Sequence, residues 1–266
     1  MPVTVWEVER FEGRQDVGRT RPLLVSAFLE GTAGEPSEHR EMLLKAIGLP
    51  EITEIGLFSE YFGTQLAGEF GIDVPVPAVV NLSAELLEAA ADNLRQWGVT
   101  LRPGNAVGLE LRRGLTPLNR LVPLTGEAQE AEAVRIFAFD MLAQNPDRRV
   151  DNPNCGSFRG RLVAYDHEMA FSFLYPIVGA GQPWEVPIGF ARQHVFHGIA
   201  ASAMRRGTID WQPIKDAIRT VSERVDGLVE FLPDAWRANG ERVAAHIADV
   251  AAHLEDFENN LQRSLS

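Results

Sequence analysis

The sequence predicts an α+β fold, with a β-rich N-terminal part followed by a mainly helical C-terminal part. Two patterns lead to it. Up to about Leu111 the apolar residues come in short runs or alternation, separated by stretches that contain Gly and Pro, which is how strands and turns read. From Glu127 onward they recur three and four residues apart over long segments, as on amphipathic helices. Strands and helices segregated along a chain define this class. The pattern changes between about Gly104 and Leu115.

The elements follow in order. Val3 to Glu9 alternates apolar and polar residues, a strand. Gly13, Gly18 and Pro22 mark a loop before Leu23 to Leu29, an apolar run that fits a buried strand. Gly31 to Glu38 is a turn, and Glu41 to Ala46 the next strand, ending near Gly48-Leu49-Pro50. Ile55, Phe58, Phe62, Leu66 and Phe70 give Thr53 to Phe70 a helical period that Gly71 stops. Val74 to Leu82 is proline-punctuated and β-like. Ser83 caps a helix running to about Trp97. Val99 to Arg102 and Ala106 to Leu111 are short strands. Glu127 to Gln144 is an amphipathic helix with Val134, Phe137, Ala138 and Met141 on one side. A loop from Asn145 to Gly156 precedes a strand from Arg161 to Tyr165. Helices follow at Phe190 to Arg206, Trp211 to Leu228, Pro233 to Gly240 and Glu241 to Leu261.

Composition narrows the function classes. With 266 residues, 45% hydrophobic and 23% charged, the chain suits one large domain or two lobes around a cleft, with a substantial core. No apolar run approaches the ~18 residues of a membrane span, and the first residues lack a basic start and an apolar signal core. Cys155 is the single cysteine. It excludes an internal disulfide and fits a reducing compartment, so a cytoplasmic protein is expected. A net charge of −12 argues against bulk affinity for nucleic acid or an anionic membrane. Lys45 and Lys215 are the only lysines among many arginines. Each deserves inspection, because a compact ammonium meets phosphate in a way a guanidinium does not.

The most informative stretch is Asn145-Pro146-Asp147-Arg148, then Asn152, then Tyr165-Asp166-His167-Glu168. Asp147 lies five positions before Asn152 and nineteen before Asp166. A kinase catalytic loop has the same order: a carboxylate that accepts the proton of the attacking hydroxyl, then an Asn and a second Asp that hold Mg²⁺ against the nucleotide phosphates. The upstream parts are also present. Lys45 ends a predicted strand and Glu60 lies fifteen residues later on the next helix. They would form the ion pair that orients an ammonium on the phosphates. Glu54 and Glu69 compete with Glu60, since spacing does not fix the rotation of that helix. Gly18-Arg19-Thr20-Arg21-Pro22 lies where a nucleotide-covering loop would be, and reads equally well as a hairpin turn.

Each residue has a plainer reading. Asn and Asp beside Pro153 are common turn formers. Asp166 would cap whatever follows its strand, and Asp140 would brace the loop after its helix. His194 and His197, three apart, suit one helix face better than a zinc site, since no third ligand stands at suitable spacing. Cys155, with no His–acid arrangement nearby, reads as incidental. The ordered co-occurrence of lysine, glutamate, Asp-x₄-Asn and strand-Asp outweighs these readings taken together.

Those residues resemble the HipA-like kinase family, a branch of the protein-kinase-like fold related to phosphoinositide lipid kinases. The likeness rests on Gly18 to Pro22 with the strand Leu23-Leu24-Val25, Lys45, the helix around Glu60, and Val74-Pro75-Val76-Pro77. It continues with Val107-Gly108-Leu109-Glu110-Leu111 and, most strongly, Phe139-Asp140 through Asn152 and Val163 to Glu168. The resemblance implies a bilobal protein-kinase-like fold: a nucleotide-binding lobe over 1–108 and a helical lobe with the catalytic loop over 109–266. It implies ATP and Mg²⁺ as cofactors, and phosphoryl transfer to a protein Ser or Thr. Asp147 would be the base, Lys45 with Glu60 would pair the phosphates, and Arg148 would order the loop or meet phosphate. Asn152 and Asp166 would hold the metal, with Asn154 a second candidate. Gly18, Arg19 and Thr20 would cover the nucleotide, and backbone groups of Glu110 and Leu111 would meet the adenine. The expected partners are a protein substrate and a restraining protein, since some relatives are toxins held by one. Thr20, Ser26 and Thr32 are candidates for self-modification. Pro146, Arg149 in place of a frequent His, and His167-Glu168 in place of Phe-Gly depart from the pattern. They keep open a pseudokinase binding module, or nucleotidyl or small-molecule transfer on the same fold.

Overall fold

The computed structural model describes residues 4–15, 20–30, 37–118, 126–175 and 181–266. Strands β1 (Val5–Arg14), β2 (Leu23–Leu29), β3 (Glu38–Lys45), β4 (Pro77–Leu82) and β5 (Gly104–Glu110) close into a barrel in the order β1-β2-β3-β5-β4. Neighbours are antiparallel except at the seam, where Val5 to Glu7 of β1 runs parallel to Val79 to Asn81 of β4. Alternation explains the inside: Val8, Leu23, Val25, Ala27, Met42 and Leu44 are buried in the smaller of two apolar cores. Closing the sheet removes its edges, which would otherwise offer unpaired backbone groups.

Helix α1 (Glu54–Glu69) crosses from this barrel to the helical part. Thr53 caps it by accepting from the Gly56 N–H at 3.0 Å. It packs against β4 and β5 on one side and the later helices α7 (Gln212–Glu230) and α8 (Asp234–Ala252) on another, so it is buried on nearly every face. Phe58, Phe62, Leu66 and Phe70, the residues of its predicted period, belong to the larger core. Helix α4 (Glu127–Leu142) runs through the middle of that core. Around it lie α5 (Ile188–Gln193), α6 (His197–Arg206), α7 (Gln212–Glu230), α8 (Asp234–Ala252) and α9 (Leu254–Leu265). Among the described residues no helix is long and apolar enough to cross a membrane.

Several boundaries differ from the sequence expectation. The helix predicted from Ser83 to Trp97 has its Ser83 cap, bonded from the Leu86 N–H at 3.1 Å, but divides into α2 (Ala84–Ala89) and α3 (Ala91–Gln96). Val99 to Arg102 is not a strand; Val99 and Leu101 are side-chain fillers of the smaller core. The helix predicted from Phe190 to Arg206 breaks at His194. Gly240 lies inside α8, not at a helix boundary, because a side chain there would collide with Leu232. The break falls at His253 instead. The residues between Gly31 and Pro36 lie outside the described ones.

A small sheet positions the candidate site residues. β7 (Cys155–Phe158) and β8 (Arg161–Ala164) form a hairpin joined by Arg159 and Gly160, both at positive φ, and β6 (Thr116–Pro117) adds to its edge. Two positive φ values in a two-residue loop match the right-handed twist of the strands. The hairpin brings its two ends together, so the Tyr165 N–H donates to the Asn154 carbonyl at 3.1 Å.

Candidate active site

Two clusters face one another across the hairpin's open end. In the first, Lys45 at the end of β3 is 5% exposed, and its ammonium meets three carboxylates. Nζ donates to Asp166 Oδ1 at 2.7 Å, Glu60 Oε2 at 2.9 Å and Glu168 Oε2 at 3.4 Å. Burial lowers the Lys45 amine, but Asp166, Glu60 and Glu168 outweigh it and raise it well above its ordinary value. One ammonium cannot fully offset three carboxylates. Burial, opposed by Lys45, pushes the Glu60 carboxyl up to about 7. Burial also pushes Glu168 up, while Lys45 and its hydrogen bond hold Asp166 low despite burial.

The backbone explains why these groups meet. Asp166 sits at φ 60°, a left-handed conformation that turns the chain after β8. His167 then drops under α1, where its Nδ1 lies 3.1 Å from the Thr64 hydroxyl, which itself donates to the Glu60 carbonyl. Gly63 permits this approach, since a Cβ there would stand 3.0 Å from His167 Cβ. His167 therefore fixes the rotation of α1. Glu60 faces Lys45, Glu54 is exposed, and Glu69 pairs with Arg224 at 2.5 Å. Burial holds the His167 imidazole neutral, at about 3.

The second cluster is the loop after α4. Gln144, at φ 46°, ends the helix. The Asp147 N–H donates to Asn145 Oδ1 at 3.1 Å, and the Arg149 N–H bonds the carbonyls of Asp147 and Asn152. Asp147 Oδ2 accepts from Asn152 Nδ2 at 2.7 Å and Asn154 Nδ2 at 3.2 Å, which orients the carboxylate. Arg149 stands 3.6 Å from Asp147 Oδ1.

Beneath the loop Arg148 is 1% exposed, and its side chain points inward. Nε donates to Asp140 Oδ2 at 2.5 Å, and Nη1 to the carbonyls of Asn154 and Tyr165. Asp140 also accepts from Asn145 Nδ2 at 3.0 Å and His194 Nε2 at 2.9 Å. Burial would raise the Asp140 carboxyl, but Arg148 and His194 hold it below the carboxylate range. Burial likewise keeps His194 neutral by lowering it.

Some sequence expectations need correction. Arg148 orders the loop and ties it to the hairpin; buried on Asp140, it is not placed to meet a phosphate. The amides of Glu110 and Leu111 already donate to the carbonyls of Val76 and Glu41 at 3.0 Å each, so an adenine there could use neither as a donor. Gly18 and Arg19 lie outside the described residues, as does Thr32. Thr20 is described and half-buried. His194 and His197 share no helix face, because His194 follows α5 in an extended conformation and His197 begins α6.

Sequence reasoning gave no role to Glu168, His167 or His194. Glu168 carried a signal, its place two residues after Asp166. His194 carried none, being forty-odd residues from the loop it supports. The oxygens of Glu60, Asp166 and Glu168 lie within 4.8 Å of one another, an oxygen set of the kind hard cations take, although Lys45 stands among them.

Comparison with known proteins bears on the fold and the family. The proinflammatory kinase CtkA of Helicobacter pylori superposes over 97% of this chain and 99% of its own, with a TM-score of 0.50 at 13% identity. That likeness shows an α+β kinase-like fold. The Neurospora crassa PAN2–PAN3 complex, which includes a pseudokinase, aligns over 97% of this chain and 63% of its own at 10% identity, with a TM-score of 0.32 that carries no weight here. No curated protein sequence matches. The family model for HipA-like kinases matches residues 43–264, a span that holds both clusters; the chain belongs to the HipA-like kinase family.

Proposed function

We propose that this protein is an ATP- and Mg²⁺-dependent serine/threonine protein kinase, with two lobes, 1–108 and 109–266, around a nucleotide cleft. The observation that carries the reading is the pairing of an amide-oriented Asp147 carboxylate with a Lys45–Glu60–Asp166 ion cluster. An isolated turn or a surface ion pair has no reason to supply both. The donor set fits a hard cation. Asn152 turns its NH₂ toward Asp147, which leaves its amide oxygen for a metal, and Asp166 adds a carboxylate held low.

Asn152 and Asp166 would hold Mg²⁺, which supplies charge neutralisation on the transferring phosphoryl group. Lys45 would exchange a carboxylate partner for a phosphate oxygen while Glu60 keeps it in place. Asp147 would accept the proton of the acceptor hydroxyl as that oxygen attacks phosphorus, with Asn152 and Asn154 fixing its angle of approach. Asp140 and Arg148 keep the loop in register without touching the reactants.

Intact masses after incubation with ATP and Mg²⁺, with Asp147→Asn alongside, test the proposal. A phosphate-sized increment in the wild type alone supports it; an adenylyl-sized increment replaces it with nucleotidyl transfer. A second reading, a pseudokinase binding module, draws on the Glu168 carboxylate, which engages the same ammonium a phosphate needs. Thermal melts with nucleotide and metal separate the two, since a ligand of the native state alone must raise the midpoint. We further propose a protein acceptor, a cytoplasmic setting and a restraining partner protein.

A further inference from the structure

We infer that His194 is a positioning residue for the catalytic loop: through Asp140 and Arg148 it sets where the Asp147 carboxylate stands. His194 lies between α5 and α6, far along the chain from the loop. Two contacts join its segment to that loop and to the helix before it. Its Nε2 lies 2.9 Å from Asp140 Oδ2 on α4, and His194 pairs antiparallel with Arg149 as an isolated bridge through the Val195 N–H, which donates to the Arg148 carbonyl at 3.0 Å. The segment is thus tied to the loop at backbone and side chain.

The tautomer is fixed by geometry. The Phe196 N–H donates to His194 Nδ1 at 3.1 Å, so Nδ1 bears no proton and Nε2–H must donate to Asp140. That bond completes the set of donors on Asp140, beside Arg148 Nε and Asn145 Nδ2. Asn145 and Arg148 flank Asp147 at two residues before and one after. Fixing Asp140 therefore fixes both sides of the base. The ring is 2% exposed and meets the Phe137 ring edge-on at 5.2 Å, which leaves it no room to swing away. The rate effect depends on the kinase reading; the effect on loop order does not.

Two amide replacements separate the ring's two bonds. His194→Gln keeps a donor at the reach of Nε2, while His194→Asn keeps an acceptor at the place of Nδ1 and loses Asp140. In His194→Asn the amides of Asp147, Arg149 and Asn152 should exchange with solvent about tenfold faster, with α8 unchanged. Its kcat should fall about 10–100-fold with KM for ATP within about threefold, as expected for a misplaced group that does not bind nucleotide. His194→Gln should stay close to wild type in both readouts. Unchanged loop exchange in His194→Asn overturns the inference, as does equal damage from both replacements spread through the helices, the mark of a merely structural histidine. If the wild type transfers no phosphate, the kinase reading fails alone and exchange still decides. If His194→Asn does not fold, the ¹⁵N spectrum of wild-type His194 decides: a neutral ring protonated at Nε2 supports the inference, and one protonated at Nδ1 overturns it.

Discussion

The two halves of the site are built on opposite electrostatic plans. Under the catalytic loop each charge is matched: one buried carboxylate, Asp140, meets one buried guanidinium, Arg148, and neutral Asn145 and His194 complete the bonding. Around Lys45 three carboxylates share one ammonium. A charge-matched buried pair resists change, because removing either member strands a charge, although Arg148 Nη2 is itself buried without a hydrogen-bond partner. An excess of negative charge at the mouth of a site awaits a cation. Under the kinase reading proposed above, the contrast corresponds to a base held in place beside a phosphate site that metal would complete.

The largest expected effect breaks the base while leaving both plans intact. Asp147→Asn should lower phosphoryl transfer by about 10²–10⁴-fold, with nucleotide binding and melting temperature close to wild type. Full activity in that variant would remove Asp147 from the chemistry. The balanced half is tested by Arg148→Met, which leaves Asp140 buried without its cation. Urea unfolding should show a loss of about 3–5 kcal/mol, and a loss below about 1 kcal/mol would show that the pair is not a matched buried one. The unbalanced half is tested by Glu168→Gln. Removing one carboxylate should raise metal-free ADP affinity about tenfold, or ~1.4 kcal/mol, as read by calorimetry; weaker binding would mean that Glu168 helps to hold the ligand.

The smallest effect concerns pH. Burial lowers both His194 and His246 below their ordinary values. Below about 6.5 the unfolded chain therefore binds protons that these folded rings refuse, and their contribution to stability falls as pH falls through that range, while Glu60, raised to about 7 in the folded chain, contributes in the opposite sense. Urea midpoints between pH 7.5 and 6 in a Glu60→Gln background should therefore show stability falling, His167 alone, held at about 3, costing about 0.8 kcal/mol at pH 6, with His194 and His246 acting in the same direction. A flat profile in that background would mean that these rings are not held neutral by burial.

Much of this site was legible because its residues sit at element boundaries that the sequence marks. Lys45 ends a strand before Gly48 and Pro50, Asp147 follows a long amphipathic helix, and Asp166 follows an apolar strand. The choice of Glu60 over Glu54 and Glu69 was not legible, since it depends on the His167–Thr64 contact between segments about a hundred residues apart. The sequence leaves the Arg148 role open between phosphate and loop for a similar reason: its partner Asp140 sets the direction of a side chain that chemistry alone sends either way. The spacing of His194 and His197 suggested one helix, but the pairing of His194 with Arg149 breaks it. Local periodicity carries no trace of such a tertiary contact.

The parallel seam between β1 and β4, and the insertion of β5 between β3 and β4, bear on how the chain matures during synthesis. β1 is made first, yet its partner at Val79 to Asn81 emerges over seventy residues later. Lys45 cannot take its final place until β5, with Val107 opposite it, has left the ribosome. Glu60 waits longer, because α1 packs against α7 and α8. At roughly 5–20 residues per second, the nascent chain carries its lysine strand for on the order of ten seconds before the helices that seat its glutamate exist. A chaperone that shields the unpaired face of α1 in that interval would act on the same helix that later completes the site.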